Sequence, residues 1–156
     1  MTSFDTAPRI TPFLWFDANA EEAVNYYLSV FKNSRRLGNF KSDLAPDTPK
    51  GKPLTVSFEL EGQRFTALNG GPHFKFTEAI SFMIRCDSQQ EIDYYWSKLQ
   101  ADPNGGQCGW AKDQFGLSWQ IVPGNISDLL KPPKAFQAMM KMKKLDIAEL
   151  ERAGKE

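Results

Sequence analysis

Three side chains have the chemistry of a reaction centre: His73, Cys108 and Asp113. His73 is the single histidine and stands in Gly70-Gly71-Pro72-His73-Phe74. Imidazole is well suited to general-base work near neutral pH, but a Gly-Pro connection equally suits a solvent-facing or hinge residue. Cys108 precedes Gly109-Trp110, with Lys112 and Asp113 close by. A nearby lysine lowers a thiol pKa, whereas burial among aromatic groups raises it, so Cys108 reads as nucleophile or structural thiol. Cys86 reads as structural. No nucleophile and base stand at a spacing that pairs them, and one histidine excludes any chemistry that needs two. Catalytic residues therefore stay unassigned.

The residues suited to binding form a longer set. Ser118 and Gln120 alternate with Trp119 and Ile121. If that apolar pair packs under a helix, Ser118, Gln120 and Val122 point to the opposite face. A buried glutamine amide needs hydrogen-bond partners, in a ligand or in neighbouring backbone. Asn69 has the same two readings, and the Gly70-Gly71 after it favours a turn. Phe13, Trp15 and Trp110 lie on strand candidates and offer aromatic walls. An aromatic pocket with few polar groups suits a flat or hydrophobic small molecule. The expected ligand-binding set is Phe13, Trp15, Asn69, Trp110, Ser118 and Gln120.

Two similar blocks must position these residues. Ile10 to Phe16 reads as a strand. Ala23, Tyr26, Tyr27, Val30 and Phe31 then follow at helical spacing, with Asn19 as N-cap and Glu22 as its reciprocal partner. Gly38 marks the exit, and residues 43–53, with Pro46, Pro49, Gly51 and Pro53, read as a loop. Leu54 to Leu60 and Arg64 to Leu68 make a hairpin. The pattern then recurs. Ala79 to Ile84 is a strand, and Ser88 with Glu91 is a capping signature. Ile92, Tyr95, Trp96 and Leu99 keep the helical period, and Gln107 to Ala111 and Leu117 to Val122 are short strands. Asn19, Glu22, Ala23, Tyr26, Tyr27 and Val30 match Ser88, Glu91, Ile92, Tyr95, Trp96 and Leu99 at one constant offset of 69 residues. The expectation is an α+β chain of two modules, about 9–71 and 78–123. A helical tail, 124–156, follows, with Pro132-Pro133 as a stop, a Met-rich helix at 135–143, and Asp146 with Glu149 opening a last helix. Met139, Met140 and Met142 could dock on a partner subunit.

The 156 residues carry 19 Lys+Arg and 19 Asp+Glu. A net charge of zero argues against a nucleic-acid or anionic-membrane binder. No apolar run nears the roughly 20 residues that span a bilayer, and Met1 to Asp5 lack the start of a signal peptide. Two cysteines fit a reducing compartment, and the expected location is the cytoplasm.

Two βαβββ-type modules resemble the vicinal oxygen chelate fold of glyoxalases and bleomycin-resistance proteins. Pro12 to Asp17, Glu21 to Tyr27, Leu68 to Pro72 and above all Cys108 to Gln120 are similar to the PhnB-like branch, some members of which carry the label 3-demethylubiquinone-9 3-methyltransferase. The resemblance implies a homodimer and a pocket in the sheet concavity. In metal-dependent relatives the ligands come from the first and last strands of each module. Here those strands offer no His, Asp, Glu or Cys, and Gln120 stands about where a carboxylate is implied. No metal and no cofactor is expected. No Gly-x-Gly-x-x-Gly follows a strand, which counts against a nucleotide-type cofactor and against methyl transfer. The expected function is a metal-free, PhnB-like small-molecule binder with an aromatic pocket. The alternative is an enzyme on the same fold acting without bound metal.

Overall fold

A computed structural model describes residues 6–156; the segment Met1 to Asp5, read above for its lack of a signal peptide, lies outside the described residues. The chain folds as two compact units, Met1–Lys75 and Phe76–Glu156.

In the first unit, β1 (Phe13–Phe16) leads to α1 (Ala20–Val30), β2 (Ser34–Phe40), β3 (Thr55–Leu60) and β4 (Gln63–Asn69). The sheet order is β1-β4-β3-β2, with β1 parallel to β4 and the other pairs antiparallel. Alternation along the strands explains which face meets the helix. Leu14, Phe16, Val56, Phe58, Phe65 and Ala67 are buried, as are Ala20, Ala23, Val24, Tyr27 and Val30 of α1. Tyr27 stacks on Phe58 and Phe58 on Phe65, with centroids 6.3 and 5.4 Å apart. Each of the larger apolar side chains among these, such as Leu14, Val56 and Phe58, contributes about 1.5–3 kcal/mol.

The second unit repeats the scheme with β5 (Ser81–Cys86), α2 (Gln89–Leu99), β6 (Trp110–Lys112) and β7 (Ser118–Pro123). Both helix boundaries lie 69 residues after those of α1. Again the first strand runs parallel to the last, in the order β5-β7-β6. The expected βαβββ pattern is shortened here, since three strands form this sheet among the described residues. Where β2 flanks β3 in the first unit, residues 100–101 flank β6. Gln100 Oε1 accepts the Lys112 N–H at 2.9 Å, and the Ala101 N–H donates to the Lys112 carbonyl at 3.0 Å.

Two local expectations change. The sequence pattern marks only a helix exit at Gly38 where strand β2 runs. Strand β2 is an edge strand with Arg35 and Arg36 outward and a bulge between Arg36 and Gly38, so it lacks clean alternation. Asn19 occupies the N-cap position of α1 but its side chain makes no capping bond. Asn69, at the end of β4, does that work: its Oδ1 accepts the Ala20 N–H at 2.9 Å, while its Nδ2 donates to the Pro53 carbonyl at 2.9 Å. In α2, Ser88 caps as expected, its Oγ accepting the Glu91 N–H at 3.2 Å.

The tail belongs to the second unit. It forms α3 (Ile126–Leu129), α4 (Pro133–Met139) and α5 (Ile147–Gly154), the last capped by Asp146 accepting the Glu149 N–H at 3.0 Å. The methionines depart from their expected role. Met142 is buried with Val122, Leu145 and Leu150, and Met139 packs against that cluster. Only Met140 of the three is half exposed. The carbonyls of Met142 and Lys143 accept the N–H groups of Cys108 and Gly109, both at 2.8 Å. Gly109 has a φ of 84°, and an added Cβ would stand 3.1 Å from the Ile121 carbonyl, so only glycine fits this joint.

Replacing Asn69 by Ala strips partners from the Ala20 N–H and the Pro53 carbonyl at once. Unfolding in urea should show a loss of about 2–4 kcal/mol, the sum of a lost cap and a buried unpaired group. A change under about 0.5 kcal/mol, the size of an ordinary surface substitution, would show the amide to be dispensable.

Candidate functional site

The β6–β7 hairpin positions the most coherent group of expected site residues. Its turn is held by Asp113, which is buried. Asp113 Oδ1 accepts the backbone N–H groups of Phe115 and Leu117 at 2.9 and 3.0 Å, and Oδ2 accepts the Trp119 indole N–H at 2.9 Å. This carboxylate, a candidate acid or base by type, is thus committed to the fold. With the turn fixed, register pairs Trp110 with Gln120 and Lys112 with Ser118, while β5 brings Met83 beside Gln120 and Ser81 beside Ser118. Trp110, Ser118 and Gln120 therefore share the sheet face opposite Trp119, Ile121 and Ala111; alternation predicted this for Ser118 and Gln120, and the register adds Trp110.

A cavity of about 420 Å³ opens beside this face, lined by Trp110, Lys112, Ser118, Glu78, Gln100 and Gly106, among others. Gln120 does not line it. Its Nε2 donates to Ser81 Oγ at 2.9 Å, tying β7 to β5. Ser118 is 1% exposed, and its Oγ has no hydrogen-bond partner among the described residues. Lys112 Nζ pairs with Glu78, both about half exposed. The Lys112 ammonium, by hydrogen bond and by charge, holds the Glu78 carboxyl below its ordinary range. Sequence reasoning missed Glu78, Gln100 and Lys112. The register of Lys112 with Ser118 was derivable from the hairpin, but Glu78 lies outside any periodic segment and carries no local signal.

The other expected residues lie in the first unit. Phe13 and Trp15 share one sheet face with Thr66 and Leu68, their strand partners. Phe13 is 53% exposed. Trp15 is anchored: its indole N–H donates to the Gly71 carbonyl at 2.9 Å, and Phe74 meets it edge-on at 4.8 Å. A Cβ on Gly70 would lie 2.4 Å from the ring, so glycine lets the loop close on the indole. Asn69 lies in register with Phe16, on the helix side of the sheet, and is fully buried with both polar ends committed. As placed, it holds backbone together and offers a ligand nothing.

His73 Nε2 lies 2.9 Å from Asp47 Oδ2 in a half-exposed surface pair. Cys108 has a φ of 54°, and its Sγ contacts Met140 Sδ at 3.8 Å. Cys86 is buried, and desolvation, with Glu91 and Asp87 adding to it, pushes its thiol up to about 12, which leaves it inert.

The first and last strands also bear on metal binding. On the face considered, β1 and β4 present Phe13, Trp15, Arg64, Thr66 and Leu68. The corresponding face of β5 and β7 presents Ser81, Met83, Arg85, Ser118, Gln120 and Val122. None carries a carboxylate or imidazole, and no group of three or more His, Cys, Asp or Glu converges among the described residues. This donor set does not fit the divalent ion that the fold resemblance implies.

Comparison with known proteins agrees with the architecture. A PhnB protein from Bacillus cereus, labelled a 3-demethylubiquinone-9 3-methyltransferase, is 32% identical, with a TM-score of 0.63 over 74% of this chain and 99% of that one. A Pseudomonas aeruginosa protein is 17% identical, with a TM-score of 0.56 over 75% and 98%. The fosfomycin-resistance protein FosX from Listeria monocytogenes, solved with Mn(II) and 1S,2S-dihydroxypropylphosphonic acid, is 13% identical, with a TM-score of 0.50 over 80% and 100%. No curated protein matches. The family model for 3-demethylubiquinone-9 3-methyltransferase matches residues 8–122. The chain is therefore a member of that PhnB-like family, on the α+β fold of the glyoxalase and bleomycin-resistance superfamily.

Proposed function

We propose that this protein binds a small, largely apolar molecule without a metal, in an aromatic pocket of the second unit walled by Trp110 and floored by Ser118. The observation that carries the reading is the Ser118 hydroxyl. A buried hydroxyl without a partner opposes folding by about 1–3 kcal/mol. Such a group beside a cavity of about 420 Å³ is accounted for by a ligand that completes its hydrogen bond. Trp110 supplies the flat apolar surface against which such a ligand stacks. Gln120 supports the site from the same face by holding β5 against β7.

Neither half of this arrangement supplies a nucleophile. Asp113 is committed to the turn, and Lys112 is held by Glu78. Binding is thus the function best supported by the site, and methyl transfer draws no support from its geometry.

A thermal-shift screen of aromatic small molecules, divalent metals and S-adenosylmethionine tests the reading, because a ligand raises the melting temperature by mass action. Aromatic compounds should raise it and metals should not. A metal-dependent shift would overturn the metal-free reading. Ser118→Ala should make the free protein more stable, by up to about 1–3 kcal/mol, and weaken the hit compound about 2- to 13-fold. Trp110→Ala should weaken it further. Unchanged affinity in both variants, with circular dichroism intact, would place the ligand elsewhere.

We further propose a homodimer. Two apolar side chains, Phe136 of α4 and Met140 just after it, stay half exposed and are suited to a subunit contact. Light scattering should give roughly 35 kDa, twice the 17.7 kDa chain. A monomer at micromolar concentration would refute this.

A further inference from the structure

The polar groups that reach the cavity of the second unit are unevenly committed. Gln100 is used at both ends, with Oε1 accepting the Lys112 N–H and Nε2 donating to the Asp102 carbonyl, at 2.9 and 2.8 Å. The Asp102 carboxylate, at the rim, accepts the Asn104 N–H at 2.9 Å. The Ser118 hydroxyl has no hydrogen-bond partner among the described residues. Lys112 stands on the same face as Ser118, as its cross-strand partner. The groups left for a ligand are thus the buried Ser118 hydroxyl and the Lys112 ammonium, which is paired with the half-exposed Glu78 carboxylate.

The lining also carries three carboxylates, but Asp113 is saturated by three donors, Asp102 accepts at the rim and Glu78 is paired with Lys112. The Lys112 ammonium and the Ser118 hydroxyl are therefore the groups that suit an incoming acceptor, and the Trp110 ring suits an aromatic ligand. We infer that the ligand of this site is a small aromatic carboxylate, its ring against Trp110 and its carboxylate on Ser118 and Lys112, with Glu78 as the intramolecular anion that it displaces. This inference rests on the binding reading above and names the ligand class for the same cavity. The displacement is feasible because the Glu78–Lys112 pair is solvent-exposed, where an ion pair is held weakly. A ligand carboxylate that also meets the buried Ser118 hydroxyl has a partner that Glu78 lacks. Glu78 then acts as a filter. Neutral aromatic molecules leave the ion pair closed, and anionic ones exchange for it.

The test uses 2-naphthoate and its neutral counterpart 2-naphthamide, titrated by calorimetry into the full chain and into the variants Lys112→Met and Glu78→Gln. Both substitutions are at exposed side chains, and melting curves check that the variants fold. The wild type should bind 2-naphthoate about 5- to 20-fold more tightly than 2-naphthamide, in keeping with a charge-assisted hydrogen bond. Lys112→Met should abolish that preference. Glu78→Gln should tighten 2-naphthoate about 3- to 10-fold by removing the competing carboxylate, and leave 2-naphthamide unchanged. Equal binding of both probes to the wild type would overturn the carboxylate inference while leaving the cavity as a binding site. An undiminished preference in Lys112→Met would remove Lys112 from the site, and no tightening in Glu78→Gln would overturn the displacement. Binding of neither probe would overturn the inference together with the cavity reading beneath it.

Discussion

The Asp113 carboxylate accepts the N–H groups of Phe115 and Leu117 and the indole N–H of Trp119. Three donors on one buried carboxylate set the turn between β6 and β7, and that turn sets the register. From the register follows which side chains of the hairpin share a face: Trp110 with Gln120, and Lys112 with Ser118. A slip of one residue would send Ser118 to the helix side and Trp119 to the open side. A group with acid–base chemistry is thus used for architecture, in the hairpin that borders the candidate cavity. Hydrogen bonds to a charged acceptor are about twice as strong as neutral ones, which suits a short hairpin with only three residues in β6.

Much of this was legible in the sequence, because it depends on local pattern. The helices were visible from apolar spacing and from the repeat at an offset of 69, which the boundaries of α1 and α2 reproduce. The shared face of Ser118 and Gln120 followed from alternation, while the place of Trp110 on it depends on the cross-strand register. What stayed hidden depends on long-range pairing. Asn69 caps a helix that begins 49 residues earlier, and no local motif records such a bond. Strand β2 has an edge position and a bulge, which erase its period. Glu78 reaches Lys112 across the fold from a loop. Met139 and Met142 looked available because composition does not reveal that the tail folds back on residues 107–109.

The two units solve one problem in two ways, which shows how far a repeat constrains its copies. In each, the last strand ends beside the first, and a glycine follows it: the Gly70 N–H bonds the Phe16 carbonyl at 2.9 Å, and the Gly124 N–H the Cys86 carbonyl at 2.8 Å. The residue before that glycine is Asn69 in one unit and Pro123 in the other. Asn69 can cap the neighbouring helix, and a proline side chain cannot. The second unit compensates locally, with Ser88 capping its own helix. The orphan N–H groups of a helix start must be met by some acceptor, but nothing in the fold dictates which.

The same reasoning separates architecture from function at the remaining polar groups. Asn69 and Asp113 are buried and saturated, and Gln120 and Gln100 are bonded to neighbouring strands. Each stabilises the fold as it stands. Ser118 is as deeply buried as Asn69 yet has no partner among the described residues, so in the free protein its hydroxyl opposes folding. An alanine would fit the same place without that penalty. A polar group kept where an apolar one would fold better is the pattern expected of a binding site, in which the missing bond is supplied by something other than the chain. On that ground the cavity floored by Ser118, rather than the more conspicuous His73 or Cys108, is where the function of this protein is to be sought.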